Sequence, residues 1–265
     1  MALVDIRPTV RRRISQTLIW IGALVVILLI ALMADWENIR KQFLNVAVMK
    51  DLWPEIVLVG MRNTLIYTFI SFIVGTALGT VFALMKMSKG PFSWFATAYI
   101  ELFRGIPALL TIFAMTFILP IAFGVKIVGG AVGSACLGLV IVTSAYTAEI
   151  MRAGIEAVPK GQREAARSLG MSPVQTTLFI ILPQGFRIVI PPMTNEFVML
   201  LKDSSLIFIA GLTPPTKELT AFARDGLSTY GSPTPLILAA ILYLIVTIPL
   251  TMLIGKLEKK LAVRK

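Results

Sequence analysis

The chain has no histidine, a single cysteine and few charges for its length, and each shortage removes a class of chemistry. Without histidine these residues offer no imidazole base and no His-ligated metal centre. Cys136 has no second thiol to pair with, so no disulfide or cysteine metal cluster forms within the chain. It lies in an apolar run and reads as a small buried packing residue. No glycine-rich phosphate loop ending in Lys-Ser or Lys-Thr occurs, so any ATP that drives this chain is hydrolysed on another one. Charged residues are 15% of the 265, against about a quarter in a soluble domain.

What the chain has is apolar sequence: 57% of its residues, with a mean hydropathy of +0.84. A helix that crosses a bilayer needs roughly 20 apolar residues. Six stretches qualify, at about 17–34, 56–85, 94–120, 127–151, 177–201 and 234–255. An all-α polytopic membrane protein is expected. The first stretch reads as an uncleaved helix rather than a signal peptide, because it is long and five more follow. Residues 35–55 mix polar and apolar positions, as a short helix on the outer surface would.

The net charge of +11 does not point to nucleic acid, because the basic residues sit between and beside the apolar blocks. With a cytoplasmic N-terminus, fifteen of the 25 fall inside. They are Arg7, Arg11, Arg12, Arg13, Lys86, Lys89, Arg152, Lys160, Arg163, Arg167, Lys256, Lys259, Lys260, Arg264 and Lys265. Seven fall outside, a bias that puts both termini in the cytoplasm. The expected organisation is a basic N-terminus at 1–16, an additional helix and outer segment at 17–55, a five-helix core at 56–255 and a basic tail at 256–265. Small residues at Gly75 and Gly79, and from Gly129 to Gly138, suit close helix approach.

Between the fourth and fifth spans lies a polar island, about 152–176. Gly161 to Leu169 is rich in helix formers, Gly170 suits a helix end, and Ser172-Pro173-Val174-Gln175 fits an N-cap, a first-position proline and a capping-box glutamine. Ala165, Ala166 and Leu169 make a small apolar face opposite Arg163, Glu164 and Arg167. A helix this short is marginal in water, so its own protein, a partner or the membrane surface must hold it.

Several charges interrupt the spans: Glu101, Arg104, Glu149, Arg187, Glu196, Lys202 and Asp203. Such groups face a bundle interior, pair with one another or reach the interface. Arg104-Gly105-Ile106-Pro107 and Pro191-Pro192 with Asn195 also break helix regularity, and broken helices mark binding regions in transporters. Arg104 is the leading candidate donor to a polar ligand, and Glu101 is either its orienting partner or a structural brace on the same helical face.

The island resembles the Glu-Ala-Ala loop of bacterial ABC import permeases. Glu164-Ala165-Ala166, Gly170, Ile180, Leu182 and Pro183 match at every position, and their neighbours resemble the permeases for polar amino acids. These neighbours are Glu101-Leu-Phe-Arg-Gly-Ile-Pro107, Ala145-Tyr-Thr-Ala-Glu149, Arg152, Gly161-Gln162, Pro192, Asn195-Glu-Phe197 and Lys202-Asp-Ser-Ser-Leu206. The resemblance covers about 57–261. Ile106 stands where threonine is usual, and Gly211 to Glu218 is a few residues longer than the family's link.

The resemblance implies a type I ABC importer permease core with an extra N-terminal helix, in the bacterial cytoplasmic membrane. It implies a second permease subunit, two cytoplasmic ATPases that bind ATP and Mg, and an external amino acid-binding protein. No cofactor or metal is implied in this chain, and no catalysis. Gly161, Gln162, Glu164, Ala165, Ala166, Gly170 and Pro183 would form the ATPase-coupling element. Glu101, Arg104, Asn195, Glu196, Lys202 and Ser204 would line the substrate path. Glutamate, aspartate or their amides rank ahead of basic amino acids as cargo. An ion-coupled secondary transporter is the alternative, and it leaves the island without a role.

Overall fold

A computed structural model describes residues 8–262, with side chains over 16–258. Arg7, Arg264 and Lys265, counted above as topology determinants, lie outside the described residues. The chain forms two compact units, residues 1–46 and 47–265. Every described element is helical.

In the first unit, α1 (Pro8–Met33) carries the first apolar run. Proline suits a helix's first position because the N–H it lacks would be unpaired there. The Trp36 indole donates to the Ala31 carbonyl at 2.7 Å, closing the corner into α2 (Trp36–Phe43). Asp35 caps α2 by accepting from the Asn38 amide at 2.9 Å. Trp36, Ile39 and Phe43 share one helical face, and the Glu37–Lys41 pair stands on another.

All of α3 (Val46–Leu52) but its first residue belongs to the second unit, where a π-helical turn at Ile56–Met61 runs into α4 (Arg62–Met87). After Gly90, Pro91 opens α5 (Pro91–Gly105). The third expected span is not one rod. Pro107 disfavours helical geometry at the residue before it, and Ile106 is extended at φ −93° and ψ 134°. The chain therefore turns by 108° into α6 (Ala108–Phe113), a π-turn at Ala114–Ile118 and α7 (Leu119–Phe123). Among the described residues, five helices are long and apolar enough to cross a membrane, and six spans result if this bent pair counts as one.

The central pair is α4 with α8 (Gly130–Glu156). Lipid tails are as apolar as the side chains, so helices in a membrane associate through dispersion contact and shape fit. Glycine supplies that fit here. A Cβ on Gly79 would lie 2.6 Å from the Ser144 carbonyl, and one on Gly75 would lie 2.9 Å from the Thr143 Cβ. Phe82, Ala96, Ile100, Ala148 and Val189 close a core among α4, α5, α8 and the fifth span.

After α8 come α9 (Lys160–Ser168), α10 (Pro173–Gln175), a π-turn at Thr176–Ile181 and α11 (Leu182–Asp203). Pro191 and Pro192 do not break α11, contrary to their sequence reading, and helix runs through both. Neighbouring helices can re-satisfy the few backbone groups that proline frees in such a span. A 3₁₀ turn (Ser204–Ala210) and a loop lead to α12 (Leu219–Tyr230) and α13 (Thr234–Ala262). That loop is strapped to the start of α4. Asn63 donates to the Pro215 and Lys217 carbonyls at 2.9 and 3.0 Å, and Tyr67 donates to the Thr216 carbonyl at 2.9 Å.

Candidate functional site

Two features stand out: a short polar helix at one end of the second unit and a charged cavity at the α5–α6 break.

The polar helix is α9. Its C-terminus is closed by a Schellman arrangement: the Met171 amide reaches the Ala166 carbonyl at 3.2 Å, and the Gly170 amide reaches that of Arg167 at 3.0 Å. Gly170 adopts φ 83°, which a side chain resists. The capping box read from the sequence is present, with the Gln175 amide donating to Ser172 Oγ at 3.2 Å and the Ser172 amide donating to Gln175 Oε1 at 2.9 Å. The apolar face is divided: Ala166 is buried, while Ala165 and Leu169 are exposed, Leu169 by 84%. Gly161, Gln162, Glu164, Gly170 and Pro183 are also exposed. Gln184 Nε2 donates to Gln162 Oε1 at 3.4 Å, and Ile155, Val158 and Ile181 pack as a core at the junction of α8 with the fifth span. A helix of nine residues thus holds its shape through its C-terminal turn, Ala166 and Gln162, and leaves most of its surface uncovered.

The second feature is a cavity of about 360 Å³ where α5 turns into α6. Arg104 to Ala108 form one wall, Leu139, Val142, Thr143 and Tyr146 of α8 a second, and Glu196, Met199, Leu200 and Asp203 of α11 a third. The Arg104 guanidinium lies 5.6 Å from the centre of the Tyr146 ring, a cation–π contact. No hydrogen bond or ion pair among the described residues engages the Arg104, Glu196 or Asp203 side chains. The buried Thr143 hydroxyl also has no partner. Glu196 and Asp203 are partly buried and Arg104 is exposed, and unpaired charges among membrane-spanning helices are expensive unless something complements them. A second groove of about 370 Å³, lined by Phe72, Phe186, Met193, Phe197 and Leu250 among others, has almost no polar lining and does not suit a zwitterion.

Of the six residues expected along a substrate path, Arg104 and Glu196 meet at the cavity. Glu101 does not pair with Arg104: its carboxylate takes Lys86 Nζ at 3.4 Å. Asn195 and Lys202 are exposed away from the cavity, and the Ser204 hydroxyl is buried, donating to the Leu201 carbonyl at 2.7 Å. Tyr146, Thr143 and Asp203 were not among the expected path residues. Asp203 was visible as an in-span charge and Tyr146 lay in the Ala145–Glu149 segment that carries the resemblance, whereas Thr143 carried no signal beyond lying on α8.

Near the strap, Glu218 is fully buried at the start of α12. Its carboxylate accepts from the Thr220 and Ala221 amides, both at 2.6 Å. Burial pushes its pKa up to about 7 despite those bonds. Tyr230 is also raised, chiefly by its hydrogen bond to the Asp51 carboxylate.

Comparison with known proteins is consistent with this geometry. Residues 75–263 match the family described as "Binding-protein-dependent transport system inner membrane component". A probable glutamine ABC transporter permease protein of Bacillus subtilis (strain 168) is 39% identical over 203 residues, covering 76% of this chain and 91% of the relative. An arginine transport system permease protein of the same organism is 35% identical over 206 residues, with 77% and 92% covered. A crystal structure of an amino acid ABC transporter with histidines superposes at a TM-score of 0.73 with 36% identity, over 80% of this chain and 96% of the other. The chain therefore belongs to the binding-protein-dependent inner membrane transport components, within the polar amino acid ABC transporter permeases.

Proposed function

We propose that this chain is the permease subunit of an ATP-driven importer for polar L-amino acids, and that the cavity at the α5–α6 break is its substrate site. The observation that carries this reading is the meeting of Arg104, Glu196 and Asp203, unpaired, around a space large enough for one amino acid. Arg104 takes the α-carboxylate, and a carboxylate of Glu196 or Asp203 takes the α-ammonium. The remaining carboxylate favours a side chain that donates. Glutamine and asparagine therefore rank first and basic amino acids next. Glutamate and aspartate, placed level with the amides on sequence grounds, fall behind both.

The chain crosses the cytoplasmic membrane several times, with both termini and α9 inside. It pairs with a second permease subunit and two cytoplasmic ATPases, and an external binding protein delivers the amino acid. The chain itself is not catalytic. The exposed face of α9, including Glu164 and Ala165, docks on the ATPase. Coupling requires that this contact differ between the nucleotide states. An ion-coupled secondary transporter would give α9 no work.

The test is reconstitution with the ATPase and binding protein in liposomes, against a panel of labelled amino acids. ATP-dependent uptake of at least one polar amino acid is expected. Stable assembly with no ATP-dependent uptake of any would refute the reading.

A further inference from the structure

Lys86, in the last turn of α4, joins three helices and is absent from the motifs that carry the family resemblance. Its ammonium lies 3.2 Å from Glu149 Oε2 on α8 and 3.4 Å from Glu101 Oε1 on α5. Glu149 is bound at the same time by Arg152, which also pairs with Glu156, the last residue of α8. The result is an alternating chain of charges, Glu101–Lys86–Glu149–Arg152–Glu156. One end lies four residues before the start of α9, and the other lies three residues before Arg104. Lys86 and Glu149 are mostly buried, with side chains 17% and 22% exposed, so water screens their contact less than a surface pair.

The neighbouring contacts show what the ion chain adds. Phe82 of α4 stacks on Tyr99 of α5 at 3.9 Å, and the Tyr99 hydroxyl meets Ser144 Oγ of α8 at 2.7 Å. These hold the middle of α5. The end of α5 that leads to Arg104 is tied to α4 by Lys86–Glu101.

We propose that Lys86 is a positioning residue that carries displacement of the α9 end of α8 to the cavity cation, Arg104, through Glu149 and Glu101. The inference rests on the permease reading above. Movement at the root of α9 shifts Glu149, Lys86 follows it, and Glu101 moves the end of α5. Removing the ammonium leaves Arg152 to hold Glu149 but releases Glu101, so α5 loses its link to α8 through the charges.

The experiment compares Lys86→Gln, Lys86→Arg, Glu101→Gln and the Lys86→Gln/Glu101→Gln pair, with two readouts. The first is amide exchange over 100–106 in the purified chain. The second is the ratio of amino acid transported to ATP hydrolysed in the reconstituted complex. Lys86→Gln and Glu101→Gln are each expected to speed exchange and to lower the ratio by about fivefold, the upper end for a pair with one exposed partner, with the double variant no worse than either alone. Lys86→Arg should retain both to within about twofold. Glu101 is exposed, so its variant reads the same tie without disturbing a buried position. Unchanged exchange in Lys86→Gln and Glu101→Gln would overturn the proposal, as would changed exchange with a normal ratio, or losses that simply add. If the wild-type complex transports no amino acid, the permease reading fails on its own, and exchange still decides whether the tie exists.

Discussion

Gly170 and Gly161 form a matched pair for testing why α9 holds its shape. A Cβ added at either would meet nothing within 4 Å, so packing does not separate them. Backbone does: Gly170 sits at φ 83°, while Gly161 lies in the first turn of α9 outside the positive-φ region. Gly170→Val forces a β-branched residue into the left-handed region, at about 1–2 kcal/mol. It also loosens the two Schellman bonds, each of which contributes about 1 kcal/mol. With the bonds weakened rather than lost, the sum is at least about 2 kcal/mol, which amounts to roughly a thirtyfold shift toward the frayed state. Gly161→Ala acts in the opposite direction, because alanine favours helix over glycine by up to about 1 kcal/mol. Amide exchange over 162–170 in the purified chain reads both. Roughly thirtyfold faster exchange is expected for Gly170→Val, and slower exchange than wild type for Gly161→Ala. Equal effects of the two substitutions, or none from Gly170→Val, would refute the argument. In the assembled transporter, Gly170→Val is expected to leave the permease inserted and to weaken its hold on the ATPase.

Gly79→Leu is expected to prevent stable packing of α4 on α8, since even a Cβ would lie 2.6 Å from the Ser144 carbonyl, and size-exclusion profiles in detergent would show it. Glu218 titrates near 7, above its ordinary 4.5, so the folded chain binds its proton more tightly than the unfolded one. Its stabilisation is full below about 4.5 and is lost as pH rises through 7, a difference on the order of 3 kcal/mol. The thermal midpoint should fall between pH 5.5 and pH 8 in wild type and stay flat in Glu218→Gln; equal pH dependence in both would exclude Glu218 as the cause. Histidine adds nothing to that window, because the chain has none. Glu164→Lys, which reverses a charge on the exposed face of α9, is expected to lower ATPase retention on the purified complex without changing permease yield.

The parts of this structure that were readable in sequence are those encoded within one stretch of chain. Apolar run length located five of the six expected spans as single long helices, though not the bend in the third, and Ser172-Pro173 with Gln175 marked the capped corner, because a cap needs partners only three residues away. The four-residue spacing of Gly75 and Gly79 announced a close helix contact but not that Thr143 and Ser144 would fill it. The cavity was only half legible for the same reason. Arg104, Tyr146 and Glu196 come from three helices, and helical period fixes which face a residue occupies, not which helix crosses that face. Glu101 shows the consequence: Arg104 was its nearest opposite charge in sequence, yet its partner is Lys86, fifteen residues earlier on another helix. Pro191-Pro192 misled in the other direction, since local sequence does not reveal how much support a packed span gives a proline.

The central claim, that Arg104 holds the carboxylate of a transported amino acid, is tested most directly by Arg104→Gln in the reconstituted complex. The substitution removes the charge and the Tyr146 contact at a position exposed in the single chain, so assembly with the ATPase is expected to persist. Uptake of the preferred amino acid should show a KM raised by about tenfold or more, as expected for loss of a charge-assisted contact worth about 1.5–3 kcal/mol. Unchanged uptake kinetics for every amino acid tested would contradict the account and remove Arg104 from the site.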